Sequence, residues 1–416
     1  MEEMNNIQEM EKINDMNNTG EMEETNKIQK SEVAIDVNHA INHLRENSSK
    51  INIENYEEKN LQFQSTDKKS FVKVSDSRVK RIFTKRFNIY VLAIICTFLW
   101  ASAYPTIRLG YDEFHVDKHD LKACFLFAGI RFTLSGVMIL SGYFVVKRKI
   151  VLPTLKMMPD ILTLGLVTVT IQYIVFYAGV GNTTGVKNSV INSCNTFFSV
   201  IMAHFLFKND RITLRKGIGC FIGIIGVILI NLGFDFFLGK SDSFEFGFTF
   251  KGEGLMIMNC LISSIGNVLV KIINASGSLF KPLKFNKDEK GRRKIDIILI
   301  TGWQMFIGAV ILDIIAMMWI WISPLEPMEG STDVPYSSIS FLGYILMFHM
   351  GLISAVAFPI WNTLLKYNNV GKISFFNFLI PVFGTFLSGI LLGENLFKIE
   401  NFVSLVLVCI GVIIVC

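Results

Sequence analysis

Residues 374–394, SFFNFLIPVFGTFLSGILLGE, form an apolar stretch that is interrupted at regular intervals. Ser374, Asn377, Pro381, Thr385 and Ser388 follow one another at spacings of 3, 4, 4 and 3, which places all five on one face of an α-helix. The stretch matches the ~20 residues that a bilayer-spanning helix needs. Lipid offers no hydrogen-bond partners, so this face is predicted to contact protein or a water-filled cavity.

A second copy of this pattern lies upstream in the chain. The segment KNSVIN at 187–192 corresponds to KISFFN at 372–377, an offset of 185 residues. The upstream series runs through Ser189, Asn192, Thr196 and Ser199 at helical spacings of 3, 4 and 3. Two matching helices of this kind predict a duplicated membrane protein with a central path between its halves.

The composition places the chain among integral membrane proteins. Of its 416 residues, 51% are hydrophobic and 36 are Phe, values that are high for a soluble domain. Residues 1–60 differ, because they are polar, contain 14 acidic and 6 basic side chains and lack an apolar period. The sequence predicts that residues 1–87 are a disordered polar tail ending in a basic collar. The collar directly precedes the first apolar run, which favours a juxtamembrane anchor over nucleic-acid binding.

After the collar, ten apolar segments each have a length suited to a bilayer. The loops at 147–156, 208–216 and 281–294 are basic, whereas 324–338 holds three acidic residues and no basic one. By the positive-inside rule, the sequence predicts a multi-pass protein of the cytoplasmic membrane with both termini in the cytoplasm. The predicted spans are 88–109, 122–146, 160–180, 186–207, 217–234, 252–274, 295–321, 341–365, 373–392 and 400–416.

The two halves repeat one another beyond the first pair of helices. GIRF at 129–132 corresponds to GWQM at 302–305, an offset of 173 residues. Residues 100–108 correspond to 263–271, an offset of 163, and a cation ends each segment. Because each half has an odd number of spans, the halves are predicted to have opposite topology. The predicted fold is therefore an all-α integral membrane protein with inverted five-helix repeats at 88–234 and 252–416.

Taken together, these segments resemble the EamA-type permeases of the drug/metabolite transporter superfamily. The matching motifs are WASAYP at 100–105, AGIRF at 128–132, WQMFIG at 303–308 and IPVFGTFLSGILLGE at 380–394. The resemblance covers residues 88–416. It implies two inverted repeats, a central cavity and alternating-access transport of small organic metabolites such as amino acids or drugs. Two features depart from the family pattern: the polar tail, and Asn209-Asp210 in place of a Gly-Glu turn in the first half.

Polar and aromatic residues of the matched helices are the candidate lining of a substrate path. An amide has four hydrogen-bonding sites, so Asn192 and Asn377 are predicted to line a cavity, with hydrogen bonding between helices as the alternative. A charge such as Arg131 costs about 2.5–3.5 kcal/mol inside a membrane, which leaves a structural partner and an anion-binding role both open. The candidates are Trp100, Tyr104, Arg131, Ser189, Asn192, Thr196, Trp361, Asn362, Ser374 and Asn377.

Asp313 is the only carboxylate well inside a predicted span. The hypothesis is that it carries a coupled proton, and the alternative is that it faces the wet outer end of its helix. No residues have the spacing of metal ligands or of a nucleophile, base and acid, so the sequence predicts no metal, cofactor or enzymatic activity. The expected partners are the lipid bilayer and a small-molecule substrate. The alternative function is a non-transporting membrane receptor or scaffold with a partner-recruiting cytoplasmic tail.

Overall fold

The computed structural model describes residues 78–148, 150–180, 182–183, 191–237, 248–280, 296–326, 334–337, 339–392 and 399–415, and these residues contain helices and turns but no strand. Most of the predicted tail and Ser189 lie outside the described residues. The helices are α1 (Arg86–Glu113), α2 (Leu121–Lys147), α3 (Leu155–Val180), α4 (Cys194–Leu206), α5 (Leu214–Phe237), α6 (Leu255–Ser276), α7 (Ile297–Ile322), α8 (Phe341–Tyr367), α9 (Val370–Ser374 and Leu379–Leu392, joined by a 3-10 turn) and α10 (Ile399–Val415).

Seven helices in the described part of the chain are long and apolar enough to cross a membrane, namely α1, α2, α3, α6, α7, α8 and α9. Helices α4 and α10 are apolar but shorter. Large hydrophobic side chains such as Trp321, Phe341 and Phe205 are exposed on the outer surface, as expected of a protein surrounded by lipid. The all-helical membrane class is thus confirmed, whereas the count of ten spans stays a prediction.

Short polar residues define where several helices begin. The Asp120 side chain accepts hydrogen bonds from two backbone N–H groups at the start of α2. Asp296 does the same for one N–H of α7, and Ser340 for one N–H of α8. These caps satisfy backbone donors that have no partner inside the helix, and each typically contributes about 1 kcal/mol.

Helices from the two halves pack in a reciprocal pattern. Helix α1 packs against α8 and α9, while α6 packs against α3 and α4. Helix α2 packs along α7, and α5 packs along α10. If each helix in these pairs is exchanged for the helix five places along, the same pairs result. These contacts therefore have the form of a twofold relation between α1–α5 and α6–α10.

Close approach between α2 and α7 depends on glycine at corresponding positions. A Cβ atom at Gly129 would overlap the carboxylate of Asp313, and a Cβ at Gly302 would lie 2.8 Å from Leu140 Cδ2. Gly129 and Gly302 correspond at the offset of 173, as do Leu140 and Asp313. The two contacts are therefore equivalent under exchange of the halves, which extends the twofold relation to single residues.

Two segments near the predicted site residues depart from regular α-helix. Helix α3 contains a π-helical turn at Leu166–Ile171, a geometry that is frequent at functional sites. Helix α9 was predicted as one regular helix from Ser374, but Phe375–Phe378 form a 3-10 turn. This turn changes the angular relation between Ser374 and Asn377, so the predicted single polar face does not begin at Ser374.

Candidate functional site

A central cavity of about 180 Å³ lies among eight of the helical segments. Within the described residues, α5 and α10 contribute nothing to its lining. Amide and aromatic side chains make up most of the wall, and Arg131 is its only charged residue among those described. The lining consists of Trp100, Ala103, Tyr104, Ile107, Arg131, Thr168, Gln172, Tyr173, Phe176, Asn192, Asn195, Asn259, Ser263, Gly266, Asn267, Val270, Gln304, Phe358, Trp361, Asn362, Asn377 and Ile380.

The lining repeats between the two halves of the chain. Every residue of α1 that lines the cavity has a lining counterpart on α6, 163 positions later. One further pair of lining residues is separated by the offset of 173, and another by the offset of 185. The pairs are Trp100 with Ser263, Ala103 with Gly266, Tyr104 with Asn267, Ile107 with Val270, Arg131 with Gln304, and Asn192 with Asn377.

Trp100 belongs to an aromatic cluster at one wall of the cavity. Its ring centroid lies 5.0 Å from that of Trp361 and 5.4 Å from that of Phe358, both in edge-on geometry. Trp361 Nε1 donates a hydrogen bond of 3.2 Å to Asn267 Oδ1, whereas Trp100 Nε1 is buried without a partner among the described residues. This wall offers ring surface to an apolar part of a ligand.

Arg131 lies within α2 and is only 6% exposed. Its Cζ atom lies 4.3 Å from the ring centroid of Phe132 and 5.7 Å from that of Tyr173. Among the described residues, its Nε has no hydrogen-bond partner and no carboxylate lies within ion-pair distance of its guanidinium. Aromatic faces therefore hold this cation in the cavity wall without neutralising it.

Two amides of the second half have a buried oxygen without a partner among the described residues. Gln304 on α7 is 2% exposed and Asn259 on α6 is 3% exposed. Neither Gln304 Oε1 nor Asn259 Oδ1 accepts a hydrogen bond from any described residue. Buried amide oxygens are normally satisfied, and both residues line the cavity, so a group in the cavity could become their partner only after the side chain rotates toward it. We refer to Asn259, Asn267 and Gln304 together as the amide wall.

Hydrogen bonds fix the start of α4 against α6. Asn195 Nδ2 donates to Ser263 Oγ at 3.2 Å, and Ser264 Oγ donates to Asn195 Oδ1 at 2.7 Å. Asn192 Nδ2 donates to the Tyr104 hydroxyl at 3.3 Å. These contacts orient two cavity amides, Asn195 of α4 and Asn192 just before it, by hydrogen bonding to helices of both halves.

Seven of the ten residues predicted from the sequence line the cavity. They are Trp100, Tyr104, Arg131, Asn192, Trp361, Asn362 and Asn377. Thr196 and Ser374 are fully buried outside the lining, where Thr196 Oγ1 donates to the Ser374 carbonyl at 3.1 Å. That contact matches the alternative of hydrogen bonding between helices. A transport role for any of these residues stays a prediction.

Several lining residues were not predicted. Gln304 and Asn267 could have been found, because they correspond to Arg131 and Tyr104 at the offsets of 173 and 163. Asn195 and Asn259 are amides within apolar segments, which is the argument that was applied to Asn192. Gln172 and Tyr173 adjoin the π-helical turn of α3, and no local pattern in the sequence indicates that turn.

Asp313 does not line the cavity. Its Oδ2 accepts a hydrogen bond of 2.8 Å from Thr133 Oγ1 of α2, and its Oδ1 is buried against Gly129 without a partner among the described residues. The carboxylate is therefore placed in the seam between α2 and α7. No group of three or more His, Cys, Asp and Glu in the described part of the chain could hold a metal ion.

Polar contacts join the helices just beyond one end of the cavity. Lys271 lies one turn past Asn267 on α6, and its Nζ donates to the carbonyls of Leu365, Lys366 and Asn368 at 2.9, 3.3 and 2.6 Å. Asp210 Oδ2 accepts from the Gly371 backbone N–H at 2.8 Å, and its Oδ1 lies 2.6 Å from Lys216 Nζ. These contacts hold the end of α8 and the start of α9 against the rest of the bundle.

Comparison with known proteins agrees with this geometry. The sequence profile of the EamA-like transporter family matches residues 87–232 and 289–416. The chain is 22% identical over 319 residues to the uncharacterized transporter YoaV of Bacillus subtilis, covering 77% of this chain and 93% of that protein. It is 25% identical over 223 residues to a WAT1-related chloroplastic protein of Arabidopsis thaliana, covering 53% and 46%. A solved structure titled only "Crystal structure of protein" shares the fold, with a TM-score of 0.58 and 13% identity over 79% of this chain and 96% of that one.

Proposed function

Because the chain belongs to the EamA-like transporter family and is a membrane transporter, we propose that it moves small organic metabolites by alternating access through the central cavity. The observation that supports this proposal is the cavity lining itself, which repeats between α1 and α6 at every lining position of α1. A cavity at the interface of two structural repeats is where transporters of this kind bind their substrates.

The proposal includes ten spans arranged as inverted five-helix repeats at 88–234 and 252–416. Reciprocal packing of the helices supports it, as do the equivalent contacts of Gly129 with Asp313 and of Gly302 with Leu140. In an inverted arrangement, a rocking motion that closes one end of the cavity opens the other around a fixed site. The bundle would then alternate between two conformations of similar free energy, one open at each end of the cavity.

We further propose that the chain resides in the cytoplasmic membrane with both termini in the cytoplasm, as the alternation of basic loops suggests. Single cysteines at positions 286 and 331, in a background without the seven native Cys, test this orientation. An impermeant thiol reagent added outside should label position 331 and leave position 286 unlabelled. The opposite pattern would overturn the orientation and with it the inverted arrangement.

Transport is tested by comparing the metabolites of cells that overproduce the protein with those of cells that lack it. Ala103→Trp provides the matched control, because Ala103 lines the cavity and an indole there would fill part of it. The wild-type chain should change the level of at least one small organic compound, and the Ala103→Trp chain at equal membrane abundance should not. Equal profiles in all three strains would contradict the proposal.

A truncation separates transport from the scaffold alternative. Removal of residues 1–60 should leave the change in metabolite level intact, because no part of the described cavity comes from that segment. A scaffold that acts through its tail would lose its effect on removal of those residues.

A further inference from the structure

We propose that the substrate is a small organic acid with one carboxylate, which pairs with Arg131 while its hydrogen-bond donors contact the amide wall. This inference rests on the proposed function in one respect, namely that the central cavity is the substrate site. It adds the chemical class of the substrate and assigns a binding role to Arg131, Gln304 and Asn259.

The first step is the uncompensated charge. A buried cation normally has a charged partner, because removing it from water is costly. Arg131 is 6% exposed and has no carboxylate partner in the described part of the chain. The planar guanidinium forms paired, parallel hydrogen bonds with carboxylates and phosphates. Its place in the cavity wall therefore favours a ligand that brings the missing negative charge.

The second step is the number of charges. Arg131 is the only charged residue in the described lining of the cavity. One guanidinium balances one negative charge, whereas a phosphate monoester near neutral pH carries ~1.5–2 charges and would remain partly unbalanced in a poorly solvated site. The lining therefore favours a carboxylate over a phosphate as the anionic group.

The third step concerns two hydrogen-bond acceptors that have no partner among the described residues. Gln304 Oε1 and Asn259 Oδ1 are buried and accept no hydrogen bond from a described residue. Rotation of either amide group would place its N–H₂ there instead, with the same need for a partner. Both residues line the cavity, so rotation of the side chain would bring either amide to an amine or hydroxyl of the ligand, which favours a hydroxy or amino acid over a simple fatty acid.

The fourth step is size. The cavity volume of about 180 Å³ is below the ~300–1,000 Å³ that is usual for drug-sized ligands. The aromatic cluster of Trp100, Trp361 and Phe358 offers one apolar surface. The lining thus suits a compact acid with an apolar side chain better than a nucleotide or a large drug.

The test measures equilibrium binding to the full-length chain purified in detergent, by the ligand-dependent rise of its melting temperature. The probes are lactate, alanine, leucine and phenylalanine, the primary amide of each, and glycerol phosphate. At least one carboxylate should bind about tenfold or more tightly than its own amide, because the amide lacks the charge that Arg131 recognises. No thermal response to any carboxylate, equal affinity for acid and amide, or tighter binding of glycerol phosphate would each overturn the proposal.

Variants then test the binding roles of Arg131 and Gln304. Arg131→Gln should weaken binding of the preferred carboxylate about tenfold or more and leave the affinity of its amide unchanged. Gln304→Leu retains the cation, so it should weaken the acid and its amide to a similar extent. An Arg131→Gln chain that still prefers the acid would overturn the role of Arg131. If that variant does not fold, the comparison of acid and amide on the wild-type chain still decides the substrate class.

The outcome is separable from that of the proposed function. Binding of carboxylates without any transport in reconstituted vesicles would contradict transport and leave the assignment of the site intact. Transport of neutral or phosphorylated compounds, with no binding of carboxylates, would contradict the present inference and leave the transport function intact.

Discussion

Helices α1 and α2 of the first half and helices α6 and α7 of the second place five corresponding pairs of residues against the same cavity, and three of these pairs differ in chemistry. Trp100, Tyr104 and Arg131 of α1 and α2 are aromatic or cationic. Their counterparts Ser263, Asn267 and Gln304 on α6 and α7 are neutral hydrogen-bonding groups. Corresponding positions of the two halves thus present different side chains to the cavity, which would allow the proposed substrate site to orient an asymmetric ligand.

The seam between α2 and α7 shows the same contrast with the sign of the charge reversed. Asp313 of the second half packs against Gly129, while its counterpart Leu140 packs against Gly302. The cation Arg131 of the first half thus corresponds to the neutral Gln304, and the acid Asp313 of the second half corresponds to the neutral Leu140. Neither charge is required by the fold, because the equivalent position in the other half is neutral. Both charges are therefore candidates for function.

The largest effect is expected from a substitution of Asp313. It tests whether this acid couples transport to protons, a role that its counterpart Leu140 cannot have. A carrier driven by protons or cations needs an ionisable group that changes partner or protonation within the membrane. Asp313→Asn should abolish accumulation of substrate under an imposed pH gradient and preserve exchange across the vesicle membrane. Thr133→Val removes the hydrogen bond of 2.8 Å to the carboxylate but keeps the charge, so it should retain accumulation. Full accumulation by Asp313→Asn would exclude this residue from coupling.

The next effect sharpens the comparison between Arg131 and Gln304. Gln304→Arg gives the second half the cation that it lacks, and two buried guanidinium groups balance two negative charges. We expect the preference of the cavity to shift from monocarboxylates to dicarboxylates by about tenfold, measured by competition in the thermal binding assay. Gln304→Lys is the control for charge without a planar guanidinium. An unchanged ratio of dicarboxylate to monocarboxylate affinity in a folded Gln304→Arg protein would mean that positions 131 and 304 do not contact the same ligand.

A smaller effect tests the seam itself. A Cβ atom at Gly136 would lie 2.6 Å from the backbone nitrogen of Phe306, whereas one at Gly142 on the same helix meets nothing within 4 Å. Gly136→Ala should therefore destabilise the protein by about 1–3 kcal/mol, seen as a lower melting temperature in detergent. Gly142→Ala should be neutral or slightly stabilising, because alanine favours helix over glycine. Equal melting temperatures for the two variants would contradict the close approach of α2 and α7.

The smallest effects are expected at the paired asparagines of α4 and α9. Asn192 donates to Tyr104, so Asn192→Leu should cost about 1–2 kcal/mol of stability as well as transport. Asn377 lines the cavity, so Asn377→Leu should reduce transport at nearly normal folded yield. Initial rates per folded molecule, from fluorescence-detected gel filtration and vesicle uptake, separate the two effects. Normal transport rates in both variants would mean that neither asparagine takes part in substrate transport.

The sequence predicted the class of the fold well, because membrane helices follow from length and apolar composition alone. The resemblance to EamA-type permeases is confirmed by the family match to both halves. The internal offsets were also informative, since they identify pairs such as Arg131 and Gln304 that line one cavity. What local patterns could not give was the 3-10 turn at Phe375–Phe378 or the π-helical turn at Leu166–Ile171. Neither turn contains Pro or Gly, the residues that most readily indicate a break in a helix from sequence.

The difference between Asn377 and Ser374 has the same origin. Both were predicted as path residues from helical spacing, but Asn377 lines the cavity whereas Ser374 is buried and donates to the Val370 carbonyl at 2.9 Å. Serine in a membrane helix can satisfy its hydroxyl within its own turn, which an amide does less completely. Side-chain hydrogen-bonding capacity is therefore a better guide to the cavity than spacing alone.

The contacts of Lys271 bear on the rate of the proposed transport cycle. One ammonium group donates to three carbonyls at the end of α8, where the helix dipole also favours a positive charge. All three hydrogen bonds would have to break for α6 to separate from the end of α8. In the proposed alternating-access cycle, their loss would therefore add to the activation barrier of opening at that end of the cavity.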